Sequence, residues 1–368
     1  MWLIYELTGS ATATGLVGMS QYLPAVLMGP LAGALVDKLD RKRVMIVADG
    51  MRAMLVALIP VLYLTGNMTG LRLGLTAFSI ALFTTLFMPA RDAIVPQLVQ
   101  TQELTRAGSV LQASYGFAYF VGPMLAAAIL PLVRIPGLFF ADAITYVASL
   151  LFLIWLQPRA QLRELSVVSP WALLKDGLRY AQRRGLIRGL LMLTAVDNLF
   201  IMGPALVGAP LYVRLHLGLG AGAYAATEGA FAAGMIVGSF LVHRFGSRLP
   251  RGRTLLWALM WDGISFAPFM FIDTLPMTLL LWFVHSIGIP FILVPRTTLI
   301  QTEVPSELQG RMFSLVHLTV VGLSAISCAL TGIIAERIPP HVLFAVIGVS
   351  ATVVGAAGWL IRDLREAV

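Results

Sequence analysis

Apolar runs long enough to cross a bilayer follow one another along almost the whole chain, separated by short charged loops. A helix needs about 20 mostly apolar residues to span the hydrocarbon core. The runs are continuous rather than alternating, which excludes a membrane β-barrel. With 58% hydrophobic and 12% charged residues among 368, the chain reads as an all-α membrane protein. Spans are expected at 15–36, 44–65, 71–95, 107–130, 137–157, 187–213, 222–245, 253–272, 276–298, 308–334 and 340–362. These make eleven full spans, plus an apolar stub, Met1–Tyr5, too short to cross.

The net charge of +8 is distributed by loop. One set of loops holds Lys38, Arg41, Lys42 and Arg43; Arg91 and Arg106; the cations from Arg159 to Arg188 and from Arg244 to Arg253; Arg296 and Arg311; and Arg362 and Arg365. The other set holds only Arg72, Arg134, Arg214 and Arg337. This asymmetry places the first set in the cytoplasm and argues against a nucleic-acid-binding patch. Segment 158–186, with Pro158, Pro170 and an amphipathic run 171–180, reads as a cytoplasmic linker between an N-terminal bundle, 1–157, and a C-terminal six-helix bundle, 187–368.

A single cysteine, Cys328, gives no disulfide framework and no metal cluster. No phosphate-loop motif G-x-x-x-x-G-K-[ST] and no nucleophile or zinc-ligand spacing stands out. The chain is therefore not read as an enzyme, and neither cofactor nor metal is expected. No basic stretch precedes the first apolar residues, so no cleavable signal peptide is expected.

The two halves repeat at an offset of 205 residues: Gly29 and Gly33 match Gly234 and Gly238, Arg91 matches Arg296, and Ser109 matches Ser314. Many transporters are built from such repeats, with the substrate site between them. At this offset Met1 corresponds to residue 206, late in the span 187–213. The expectation is that the chain is N-terminally truncated within its first helix; the alternative is an eleven-span protein with an external N-terminus.

The stretch from Gly29 to Arg43 carries the strongest motif. A helix rich in small residues (Gly29, Ala32, Gly33) that would let another helix approach closely runs into Asp37, then into Lys38-Leu-Asp40-Arg41-Lys42-Arg43. It resembles the signature loop GxLaDrxGrkxxL of the major facilitator superfamily, with Asp40 where that pattern has glycine. Further blocks, among them Tyr5–Ser10, Arg91–Pro96, Gly122-Pro123, Phe140–Tyr146 and Val304-Pro305 with Gly310-Arg311, resemble its macrolide-efflux and enterobactin-exporter branch. The resemblance implies the major facilitator fold, two pseudo-symmetric helical bundles, in a bacterial cytoplasmic membrane. It also implies secondary export of amphipathic small molecules of drug, macrolide or siderophore type by proton-coupled alternating access. An importer, a lipid flippase or a transport-inactive remnant are the alternatives. The expected partners are the substrate, the bilayer and protons; nucleic acid is not expected, and the chain is read as a monomer.

Candidate site residues follow. Asp37, Arg41, Arg43 and Arg91 are read as a conformational latch, Asp37 facing Arg91 or the start of the span near Glu307; positive-charge topogenesis is the simpler reading. Asp49 and Arg52 lie i, i+3 inside a span, where a charge must pair or line a cavity, as a structural pair or a proton relay. Asp197, Asp142 and Asp262 are the other carboxylates well inside spans and are candidates for proton coupling, Asp197 first; packing or capping roles stand beside this for Asp142 and Asp262. Glu228 lies nearer a span end. His285 and His317 read first as satisfied polar residues. Gly122-Pro123 resembles the antiporter motif, with Ala126 and Ala127 in place of its closing glycines, and permits a bend. Gln112, Tyr115 and Tyr119 form a stripe suited to the cavity or to helix packing.

Overall fold

The computed structural model describes residues 1–158 and 170–367; within that range the side chains of Pro30, Ala34, Asp37, Thr101, Thr105, Ser109, Gln112, Ala113, Tyr115, Tyr119, Phe120, Pro123, Ala127, Pro170, Trp171, Leu173 and Ser247 lie outside the described set. The described residues form helices and no strand. In order they are α1 (Trp2–Thr8), α2 (Ala11–Lys38), α3 (Arg41–Leu64), α4 (Gly70–Leu98), α5 (Leu104–Trp155) and α6 (Pro170–Arg183). There follow α7 (Gly185–His216), α8 (Ala221–Phe245), α9 (Arg251–Phe271), α10 (Leu275–Glu303), α11 (Ser306–Ala335) and α12 (Pro340–Leu360), then a short α13 (Arg362–Arg365).

Nine helical segments among the described residues are long and apolar enough to cross a membrane. The expected spans 15–36 and 107–130 fall in α2 and the first part of α5, helical throughout and containing several of the undescribed side chains. Helix α5 holds two expected spans, and its single non-helical residue, Arg134 (φ 57, ψ −179), marks the break between them. Helix α7 becomes π-helical over Pro204–Gly208 and Tyr212–His216, a widening the hydrophobic pattern did not foretell. The amphipathic run of the expected linker is the helix α6, packed on α11 and α7; residues 159–169 of that linker lie outside the described residues.

Polar side chains set the helix starts. Ser10 accepts from the Ala13 amide, Asp40 from Arg43 and Thr69 from Arg72, each satisfying a backbone donor that the helix leaves open. Asp40, the departure from the signature pattern, is thus the N-cap of α3. The repeat is visible in the backbone: α4 and α10 are displaced by the same 205 residues at both ends. Large apolar side chains such as Trp155, Phe271 and Leu360 point outward, a surface that suits lipid rather than water.

Lipid is as apolar as leucine, so close packing between small residues holds such helices together. Helix α2 packs along α4 on one side and α11 on the other, α5 packs on α8, and α9 packs on α12. The α2–α11 seam is tightest away from the basic loops. A Cβ on Gly15 would lie 2.8 Å from Gly332 Cα, and one on Gly332 would lie 2.7 Å from Gly15 Cα. Toward the basic end there is more room: a Cβ on Gly29 or Gly33 would meet nothing within 4 Å among the described residues. Of the small residues expected to pack closely, Ala32 is buried, whereas the backbone-to-backbone approach is made at Gly15 and Gly332 and not at Gly29 or Gly33.

Candidate transport site

Two buried polar clusters sit within the helices. The first joins α3, α4 and α5. Asp49 and Arg52, both buried, form a close ion pair one turn apart on α3. Ser149 Oγ donates to the second Asp49 oxygen at 2.6 Å. The Arg52 guanidinium lies over the rings of Phe87, 4.2 Å from its centroid, and Tyr146, at 4.9 Å, contacts worth most when water is excluded. Asp142 lies near enough to feel the Arg52 charge, but its side chain is exposed. Asp142 therefore borders this cluster and does not fill it.

The second cluster joins α7, α9 and α10. Asp197 and Asp262 share a side-chain hydrogen bond, with Arg296 acting on Asp197 electrostatically. A hydrogen bond between two carboxyl groups requires a proton on one of them. Asp262 Oδ1 lies 3.6 Å from His285 Nε2, and Ser265 Oγ lies 2.7 Å from His285 Nδ1. Asp262, Ser265 and His285 are all buried, and Phe266 and Trp282 pack their rings against the imidazole. Asn198, next to Asp197, turns away and donates to Thr194 O at 2.8 Å.

The contacts described for the basic loop and Arg91 lie within the first half of the chain. Arg41 Nη1 donates to Ala93 O at 2.9 Å, and Lys42 Nζ donates to Ile154 O at 2.8 Å. Arg91 donates to Asp92 Oδ1 through Nε and Nη2, a pairing that the motif did not point to. The Arg43 backbone N–H serves the Asp40 cap at 2.9 Å. The expectation for the Asp37 carboxylate lies outside the described residues, as do those for Gln112, Tyr115, Tyr119 and Pro123. Around Gly122 an added Cβ would meet nothing within 4 Å among the described residues. Glu228 is hydrogen-bonded with Tyr224 on its own helix, and His317 is exposed.

The sequence reading missed Ser149, Ser265 and Glu336. Nothing marks a lone serine in an apolar helix as a partner of a distant carboxylate. Glu336 carried a weak signal, an acid beside the cation-poor loop residue Arg337. Its Oε1 accepts from Ser10 Oγ at 2.6 Å and from the Thr12 amide at 2.9 Å, joining the two halves of the chain at the tight end of the α2–α11 seam.

A family model described as a transmembrane secretion effector matches residues 1–366. The chain is 25% identical over 374 residues to macrolide efflux protein A of Streptococcus pyogenes, covering 100% of this chain and 91% of that protein. It is also 25% identical over 378 residues to the multidrug efflux pump Tap of Mycolicibacterium fortuitum, covering 99% and 91%. The solved structure of the nucleoside transporter NupG superposes with a TM-score of 0.77 at 12% identity, covering 98% of this chain and 92% of that one. These matches define a class, the multi-pass helical membrane transporters, and exclude an enzyme. The chain belongs to the major facilitator superfamily, in its transmembrane secretion effector family.

Proposed function

We propose that the protein exports amphipathic small molecules from the bacterial cytoplasm by proton-coupled alternating access. On this reading eleven spans and the short helix α1 form two bundles, 1–157 and 187–368, with 158–186 as the cytoplasmic linker and the basic loops facing the cytoplasm. The observation that carries the coupling is the pair of carboxyl groups within the helices, buried Asp262 and half-buried Asp197. A carboxylate kept inside a membrane bundle is costly, and such residues mark pathways for ions or protons; two of them acting on each other favour keeping a proton between them. The efflux names of the full-length relatives support the outward direction. The seam that is tight at Gly15 and Gly332 and roomier at Gly29 and Gly33 supports an arrangement open toward the cytoplasm. In the opposite arrangement the loop at Asp37, Arg41, Arg43 and Arg91 closes the basic end against the start of α11. Gly122, with Pro123, gives α5 room to bend, and Gln112, Tyr115 and Tyr119 on the same helix line the path of the substrate.

The test uses inside-out membrane vesicles carrying the protein, with a fluorescent hydrophobic cation and a macrolide as probes. A proton gradient, acidic inside the vesicle, drives uptake into the lumen, and Asp197→Asn abolishes the gradient-dependent part. Uptake that is indifferent to the gradient, or unchanged in Asp197→Asn, refutes the assignment. Movement of substrate in the opposite direction replaces export with import.

A further inference from the structure

Ser265 occupies a position that decides the chemistry of His285. Its Oγ lies 3.0 Å from the carbonyl oxygen of Asp262, one turn back on α9, an acceptor within reach of its single hydrogen. The same Oγ lies 2.7 Å from His285 Nδ1, and in that arrangement it meets the ring as an acceptor. With the Ser265 hydrogen on the Asp262 carbonyl, Nδ1 carries the ring hydrogen, and in the neutral ring Nε2 is left with a lone pair. Nε2 faces Asp262 Oδ1 at 3.6 Å, and that buried oxygen takes no hydrogen bond from any N–H or O–H donor among the described residues. Two acceptors facing each other inside an apolar bundle gain a bond only when a proton lies between them.

We propose that His285 is part of the proton-carrying site, exchanging a proton at Nε2 with the Asp262 carboxyl group, and that Ser265 is the positioning residue that holds its ring. The step is balanced within the cluster. The Asp262 O–H bond breaks, the His285 Nε2–H bond forms, and a neutral pair becomes an imidazolium–carboxylate pair with the Nδ1–H···Oγ bond kept. The groups around it are few. Asp197 from α7 acts on Asp262, and Arg296 from α10 acts on Asp197. From α8 the ring of Phe231 faces the imidazole, and Phe266 and Trp282 close the remaining sides. Glu228, the carboxylate of α8, is engaged with Tyr224. Among the described residues the carboxyl neighbours of His285 are Asp262 and, next to it, Asp197, so the proton passes through Asp262 to Asp197.

The proposal rests on the proton-coupled reading above for its role in transport, but the exchange itself is tested separately. Nitrogen-15 spectra of the purified protein, with His285→Gln as the difference reference, report the ring tautomer. The expected result is a hydrogen on Nδ1, a titration at Nε2, and a shift of that titration by about 1 pH unit in Asp262→Asn. A hydrogen on Nε2 in the neutral ring, or a titration indifferent to Asp262→Asn, overturns the proposal. In vesicles, Ser265→Ala and His285→Gln move the pH profile of gradient-driven uptake by a similar amount while uptake down a substrate gradient persists. Unchanged profiles in both variants overturn the transport role. If wild-type uptake ignores the gradient, the proton-coupled reading fails, and the ring spectra alone decide the exchange. Ser265→Ala, the milder change, guards against misfolding in His285→Gln.

Discussion

Ser10 and Glu336 stand 326 residues apart and share a 2.6 Å hydrogen bond, the hydroxyl donating to Oε1. The serine does two tasks, since its oxygen also caps α2 through the Ala13 amide. With the Thr12 amide as a second donor to the same carboxylate, Glu336 ties the end of α11 to the start of α2. The Ser10 hydroxyl, followed by the Thr12 amide, holds the Glu336 carboxyl below the ordinary glutamate range. A group whose value is depressed in the tied state stabilises that state above its ordinary range, and the contribution fades as pH falls through the depressed value. Acid should therefore loosen this end of the seam. Glu336→Gln should do so at neutral pH, by no more than about 1 kcal/mol, because the contact is exposed. Pulsed electron paramagnetic resonance between spin labels flanking the contact reads the opening; a distance distribution identical in acid, at neutral pH and in Glu336→Gln would remove the tie.

Beneath that contact, Gly15 and Gly332 let the two backbones touch. A valine at position 15 would meet the Gly332 backbone and the Cys328 carbonyl, atoms that cannot rotate aside. Overpacking of this kind costs about 1–3 kcal/mol. Gly15→Val should lower the thermal unfolding temperature in detergent and lengthen the same label distance. Gly29→Ala, where an added Cβ meets nothing within 4 Å among the described residues, should leave both unchanged. Equal effects at the two positions would mean that the seam is no roomier toward its basic end.

The contrast between these glycines shows what a sequence can reveal here. Length and apolarity announced the spans, because a bilayer imposes both, and the repeat at 205 residues announced the pairing of α4 with α10. Acids inside spans announced Asp49, Asp197 and Asp262, because a charge there needs a reason. Which small residues meet was not legible: Gly29 and Gly33 carry the motif, while the backbones touch at Gly15 and Gly332, and that choice depends on how two distant helices cross. Nor were the hydroxyl partners legible. Ser149 lies 100 residues from Asp49, and Ser265 reaches His285 from another helix, so each depends on a rotamer and a crossing, not on a spacing. Arg91 also pairs with its chain neighbour Asp92, a local partner that motif reading passes over.

The Asp49–Arg52 pair offers a choice between structure and coupling that one set of variants decides. Both side chains are buried, Ser149 holds the far carboxylate oxygen, and two aromatic rings sandwich the guanidinium. Removing one member strands the other charge in an apolar bundle, at a cost of about 3–5 kcal/mol. Asp49→Asn and Arg52→Gln should each lower the unfolding temperature sharply. The joint change Asp49→Leu with Arg52→Met removes both charges and should recover most of the loss, since apolar replacements of a buried pair are often neutral. Ser149→Ala removes a hydrogen bond to a charged group and should cost about 1.5–3 kcal/mol. If the doubly apolar variant is stable and still moves substrate with the wild-type dependence on the proton gradient, the pair is structural. If it is stable but has lost that dependence, the first bundle carries protons as well, and Asp142 at the edge of the cluster becomes the next residue to change.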